Sequence, residues 1–123
     1  MRHEESQIQI AFIDWVKLQY PHLLNYILHI PNGGKMSPWK GVHLKRMGVQ
    51  AGVADILFMW HNLDSHGLWL EFKAPKGKVS SCQLERHEML GTAGNKVLVV
   101  RDWVTAVREV KKFFPNIKWR DNV

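Results

Sequence analysis

The sequence predicts an α/β fold, with a mixed central sheet flanked by helices. Short runs rich in branched and aromatic residues alternate with longer stretches of helical apolar spacing. Proline and glycine punctuate the boundaries between them. The order is helix, strand, helix, strand, strand, helix, strand, helix over 123 residues. That length suits one domain, 1–123, burying roughly two-thirds of its unfolded surface.

Across residues 4–20, Ile8, Ala11, Phe12, Trp15 and Val16 repeat at the spacing of one buried helix face, and Pro21 ends it. Residues 24–30 read as the first strand, stopped by the turn signal Pro31-Asn-Gly-Gly34. A short helix over 39–47 closes at Gly48. Two apolar runs, 54–60 and 67–73, read as strands joined through His61-Asn-Leu-Asp-Ser-His66. Residues 80–92 form the next helix, with Gly91 and Gly94 near its end. A buried strand at 96–100 leads to an amphipathic helix over 102–114, capped by Asp102 and closed before Pro115.

A formal charge of +6 and a pI near 9.7 suit a polyanionic partner. The lone Cys82 excludes an internal disulfide and a multi-cysteine zinc site, and fits a reducing compartment. The N-terminus lacks a signal-peptide pattern and no apolar run has membrane-span length, so the expected location is soluble and cytoplasmic.

The chemistry concentrates in the two central strands. Asp55 follows Gly52-Val-Ala, and Glu71-Phe-Lys73 ends the second run. Burying an unpaired carboxylate costs several kcal/mol, so both acids need compensation. A hairpin turning about Leu63 sets Asp55 directly opposite Glu71, with Cβ atoms roughly 5 Å apart. Alternation puts Glu71 and Lys73 on one face. Two opposed carboxylates call for a cation, and Mg²⁺ or Mn²⁺ takes such oxygen ligands. With a lysine beside them to orient or deprotonate water, the set suits metal-assisted phosphodiester hydrolysis. A solvated strand-end pair with an ordinary Lys73 ion pair is the plainer alternative.

This pattern resembles the VRR-NUC family of the PD-(D/E)xK nuclease superfamily, whose members carry a helix glutamate, a Gly-x-Pro-Asp strand, a Glu-x-Lys strand and a following glutamine. The resemblance runs over residues 5–112 and includes Pro31-Asn-Gly-Gly34, Lys45-Arg-Met-Gly48 and Gly77-Lys-Val-Ser-Ser-Cys-Gln83. It implies a restriction-endonuclease-like fold and the site residues Glu5, Asp55, Glu71, Lys73 and Gln83, with the Phe72 carbonyl as a further metal ligand. Ala54 departs from the family's proline, which removes a fixed φ but no metal chemistry. Periodicity leaves Glu4 and Glu5 equivalent, and the resemblance favours Glu5. Gln83 also stands at capping-box spacing from Ser80, a role compatible with the site.

The nucleic-acid-binding candidates are Asn32, Lys35, Trp39, Lys40, Lys45 and Arg46 before the hairpin, and Lys76 and Lys78 after it. Their charges would track phosphates without reading sequence. Trp39 would either stack on an unpaired base or anchor the short helix in the core. The seven histidines show no metal-ligand spacing. The function expected is a Mg²⁺- or Mn²⁺-dependent DNA endonuclease, structure-selective and resembling Holliday-junction resolvases of phages and prophages. Two cuts per junction and one site per chain imply a homodimer. The alternatives are a flap, nick or duplex nuclease of the same fold, or a catalytically silent DNA-binding module that needs a partner.

Overall fold

The computed structural model describes residues 3–31 and 38–123. Asn32, Lys35 and Ser37 lie outside the described residues, as does the Asn-Gly-Gly turn. The first helix, α1 (His3–Gln19), buries Phe12, Trp15 and Val16 along the predicted stripe. Pro21 stops it, but the chain does not pass straight into a strand. It turns through a 3-10 helix, Pro21–Tyr26, and the first strand β1 is only Ile27–His29. Proline brings the φ of a first helical turn and has no N–H to leave unpaired. The turn packs Leu23 and Leu24 against the core, so the strand starts later than expected.

The remaining elements are α2 (Pro38–Arg46), β2 (Ile56–Phe58), β3 (Leu68–Phe72), α3 (Ser81–Thr92), β4 (Lys96–Val100) and α4 (Trp103–Phe113). The sheet order is β1-β2-β3-β4. The first three strands are antiparallel neighbours, whereas β4 runs parallel to β3. A parallel neighbour needs a crossover, and α3 provides it. Ile56 pairs with Leu70 and Phe58 with Leu68, the register of a hairpin turning about Leu63. Asn62 builds that turn, its Oδ1 accepting the Asp64 and Ser65 N–H groups at 2.8 and 2.7 Å.

Alternation then sorts the two faces of the sheet. Ile56, Phe58, Leu68, Leu70 and Phe72 point one way and are at most 1% exposed. They meet Phe12 and Val16 of α1, and Ala106, Val107 and Val110 of α4. Each large side chain so buried contributes about 1.5–3 kcal/mol. The C-terminal segment folds back onto this layer. Asp121 accepts the Trp15 indole N–H at 3.0 Å and the Tyr20 hydroxyl at 2.7 Å, and pairs with Lys111 at 3.0 Å. Asp55, Leu57, Trp69, Glu71 and Lys73 fall on the opposite face by the same alternation.

The crossover helix α3 lies against that second face, and Gly52 sets how close it comes. Gly52 has φ +78°, and a Cβ there would stand 2.6 Å from the Cys82 carbonyl oxygen. Only glycine meets both conditions, so the segment leading to Asp55 seats directly on the first turn of α3. Among the described residues, no helix is long and apolar enough to cross a membrane.

Candidate active site

Four charged residues are buried among the described residues: Glu5, Asp55, Glu71 and Lys73. They come from α1, the lead into β2, and the end of β3. Glu4 is exposed while Glu5 is 7% exposed, so the helix turns Glu5 inward. Its Oε1 lies 3.6 Å from the point where a Cβ on Gly77 would stand. The loop after Lys73 therefore closes over the Glu5 carboxylate.

Asp55 takes over the hydrogen bonding where the β2 ladder stops. Its Oδ2 accepts the Phe72 N–H at 2.7 Å. Its own carbonyl accepts the Ile30 N–H at 2.8 Å, and the His29 Nδ1 lies 3.1 Å from the same oxygen. The Lys73 N–H donates to the Val100 carbonyl at 3.0 Å. Across that trans peptide the Phe72 carbonyl points to the other edge of β3, the side on which Asp55 lies. The Asp55 carboxylate and the Phe72 carbonyl thus share an edge, and Glu71 stands on the face beside them.

Burial pushes Glu71 up to about 9, and a hydrogen bond with Asp55 and the Asp55 charge push the same way. Lys73 opposes them and Glu5 adds to the rise. Without a cation, Glu71 therefore holds its proton at neutral pH. Burial leads this rise, and the neighbouring acid adds to it. A divalent cation between the two acids would replace that proton, so the donor set fits Mg²⁺ or Mn²⁺. Mg²⁺ commonly takes one or two carboxylates and completes its shell with water and substrate oxygens. Among the described residues no group of three His, Cys, Asp or Glu side chains converges as a metal cage, and such a shell does not require one.

Gln83 stands in a complete capping box: its N–H donates to Ser80 Oγ at 3.1 Å and its Oε1 accepts the Ser80 N–H at 2.9 Å. The capping role is thus real, and the side-chain amide N–H₂ remains to donate elsewhere. Two residues escaped the sequence reading. His87 Nε2 lies 3.3 Å from Glu71 Oε1. Burial lowers its pKa, Lys73 adds to this, and Asp55 works against it. The available signal was its position one helical turn after Gln83. Arg101 donates through Nη1 to the Ala74 and Gly77 carbonyls at 2.8 and 2.7 Å, bracing the loop after Lys73. His61 and His66 are exposed loop residues.

None of the α2 residues from Trp39 to Arg46 is buried. Trp39 is 76% exposed and stacks on His43, so it does not anchor the helix in the core. Lys40, Lys45, Arg46, Lys76 and Lys78 are all exposed. The chain from Trp15 to Ala54 contains no acidic residue.

No protein-family model matches the sequence, and no curated protein does. A solved structure described as a VRR_NUC domain protein superposes with a TM-score of 0.79 at 26% identity, over 94% of this chain and 91% of that one. With its mixed sheet, its flanking helices and this near full-length match, the chain shares the α/β fold of that VRR_NUC domain protein and is similar to it over nearly its whole length.

Proposed function

We propose that this chain is a Mg²⁺- or Mn²⁺-dependent DNA endonuclease. The observation that carries the reading is the burial of Asp55 opposite Glu71, with Lys73 on the same face. A protein that only bound DNA would have no use for a buried acidic pair that repels phosphates and raises the pKa of one member.

Asp55, Glu71 and the Phe72 carbonyl would hold the metal, with Glu5 completing the acidic shell directly or through water. When bound, the metal supplies Lewis-acid polarisation of the scissile phosphate and a lower pKa for water. Lys73 orients the attacking water and offsets charge that develops on the phosphate oxygens. The Gln83 amide donates to the same water from the first turn of α3. The exposed cations of α2, with Lys76 and Lys78, track the phosphate backbone, and Asn32 and Lys35 belong to the same basic stretch of sequence. Trp39 offers its face to an unpaired base, which favours branched or otherwise distorted DNA. Paired cuts on a four-way junction then require a homodimer, one site from each copy.

The test is cleavage of a labelled panel (four-way junction, flap, nicked duplex, intact duplex, single strand) with Mg²⁺, Mn²⁺ or EDTA, beside Lys73→Ala. Metal-dependent cutting that is absent from the variant supports the nuclease, and the preferred substrate separates a resolvase from a flap or nick enzyme. DNA binding with no cutting on any substrate would overturn the reading in favour of a silent module.

A further inference from the structure

The face that carries Asp55 and Glu71 is covered by α3, and α3 sends a side chain into it. His87 lies one turn beyond Gln83 and its side chain is 11% exposed. Its Nε2 lies 3.3 Å from Oε1 of Glu71, whose side chain is 3% exposed. A buried glutamate carboxylate can turn about its Cγ–Cδ bond, so without a partner its orientation would drift. Asp55 does not have this problem, because the Phe72 N–H fixes its Oδ2 at 2.7 Å.

We infer that His87 is the positioning residue for Glu71, holding Oε1 through an Nε2 hydrogen bond so that the other oxygen faces Asp55 and a cation between them. The inference rests on the proposed metal site and goes beyond it by naming the group that orients one of its ligands. Groups that hydrogen-bond to metal-bound side chains set ligand orientation, and their loss typically costs about tenfold to a hundredfold in metal affinity. Placement on α3 adds a structural consequence. The capping box at Ser80 and Gln83, and the close seat of Gly52 on Cys82, set where α3 begins and so how deeply His87 reaches. The helix that joins β3 to β4 thereby also aligns the acid at the end of β3.

The test is Mn²⁺ binding to the full chain without DNA, followed by electron paramagnetic resonance of free Mn²⁺, for wild type, Asp55→Asn, His87→Phe and His87→Gln. Thermal unfolding of each metal-free protein reports on folding. The expected result is a site in wild type that is lost in Asp55→Asn and weakened about tenfold or more in His87→Phe. In His87→Gln, whose amide N–H can donate in place of the imidazole, the site should be partly restored. Phenylalanine fills the same space, so a packing role would make His87→Phe the better binder of the two. That order, or wild-type affinity in both His87 variants, overturns the inference while leaving the metal site standing. An absence of Mn²⁺ binding by wild type overturns the metal reading itself, and the inference with it.

Discussion

Two carboxylates in this molecule, the partly buried Asp121 and the buried Glu71, meet opposite fates. Burial by itself raises the pKa of both. At Asp121 the hydrogen bonds from Tyr20, Lys111 and Trp15, with the Lys111 charge, outweigh burial and hold the carboxyl at about 2. At Glu71 burial, joined by a hydrogen bond with Asp55 and the Asp55 charge, pushes the carboxyl up to about 9 even with Lys73 close by. Donors surround the first, so it closes the C-terminal segment onto α1 and α4. The second lacks a full set of donors, and under the proposed function a cation would complete it. Stability and function are therefore separable in this fold by asking what each buried charge is paired with.

Exchanging the two acids for neutral groups should break the molecule in different ways. The largest effect is expected for Glu71→Gln, which should lower cleavage on the order of a thousandfold. The same change should make the metal-free protein more stable at pH 8, since it removes a carboxyl that burial disfavours ionising. Single-turnover cleavage and urea unfolding of one preparation measure both. A Glu71→Gln variant that lost stability at pH 8 would contradict the view that this acid is uncompensated. Asp121→Ala should do the reverse. It strands the Trp15 N–H, the Tyr20 hydroxyl and the Lys111 ammonium, at a cost of about 3 kcal/mol in the urea midpoint analysis. Its cleavage rate, measured where the variant stays folded, should match wild type.

A pH series sharpens the contrast, because the two groups have opposite signs. Glu71 keeps its proton in the folded state up to about 9, whereas the unfolded chain releases it near 4.5. Between those values the unfolded state binds fewer protons, so this contribution to stability falls as pH rises. Asp121 is ionised in the folded state down to about 2 against 3.8 when unfolded, and its contribution is lost as pH falls through that interval. The difference in stability between wild type and Glu71→Gln should thus drift steadily from pH 5 to pH 9. Saturating Mn²⁺ should flatten the drift by taking the proton's place. A wild-type curve parallel to that of the variant across this range would remove the reason to put a cation there.

Local pattern left the first of these regions illegible, and made the opposition of Asp55 and Glu71 in the second legible. Alternation and a symmetric turn were enough to oppose Asp55 and Glu71, because strand register is a property of nearby sequence. The Asp102 cap, the Ser80 and Gln83 box and the extent of β4 are local in the same sense. Asp121 was invisible, since its partners Trp15 and Tyr20 stand more than a hundred residues away in sequence. Arg101 was missed for the same reason, since it acts across the β3-α3-β4 crossover; His87 acts across it too, and its only local signal was its place one helical turn after Gln83. The late start of β1 has another cause. Pro21 both ends one helix and begins a tighter one, and the apolar residues after it are satisfied by that turn as well as by a strand.

The smallest expected effect lies where charge is not buried at all. Lys45 and Arg46 are exposed at the end of α2, so neither supports the fold as Asp121 does nor belongs to the proposed site as Glu71 does. Substituting either by alanine should change stability by less than about 0.5 kcal/mol. Cleavage at saturating DNA should likewise be unaffected. What should change is affinity, and in a characteristic way. Each lost phosphate contact lowers the slope of log K against log salt by about one, to the same degree for every DNA sequence tested. Fluorescence anisotropy titrations between low and physiological salt measure that slope. A change that depended on sequence would mean that α2 reads bases, and an unchanged slope would take α2 off the DNA path. Either result would leave the contrast between Asp121 and Glu71 untouched, because it turns on what surrounds a buried charge, and these two charges face water.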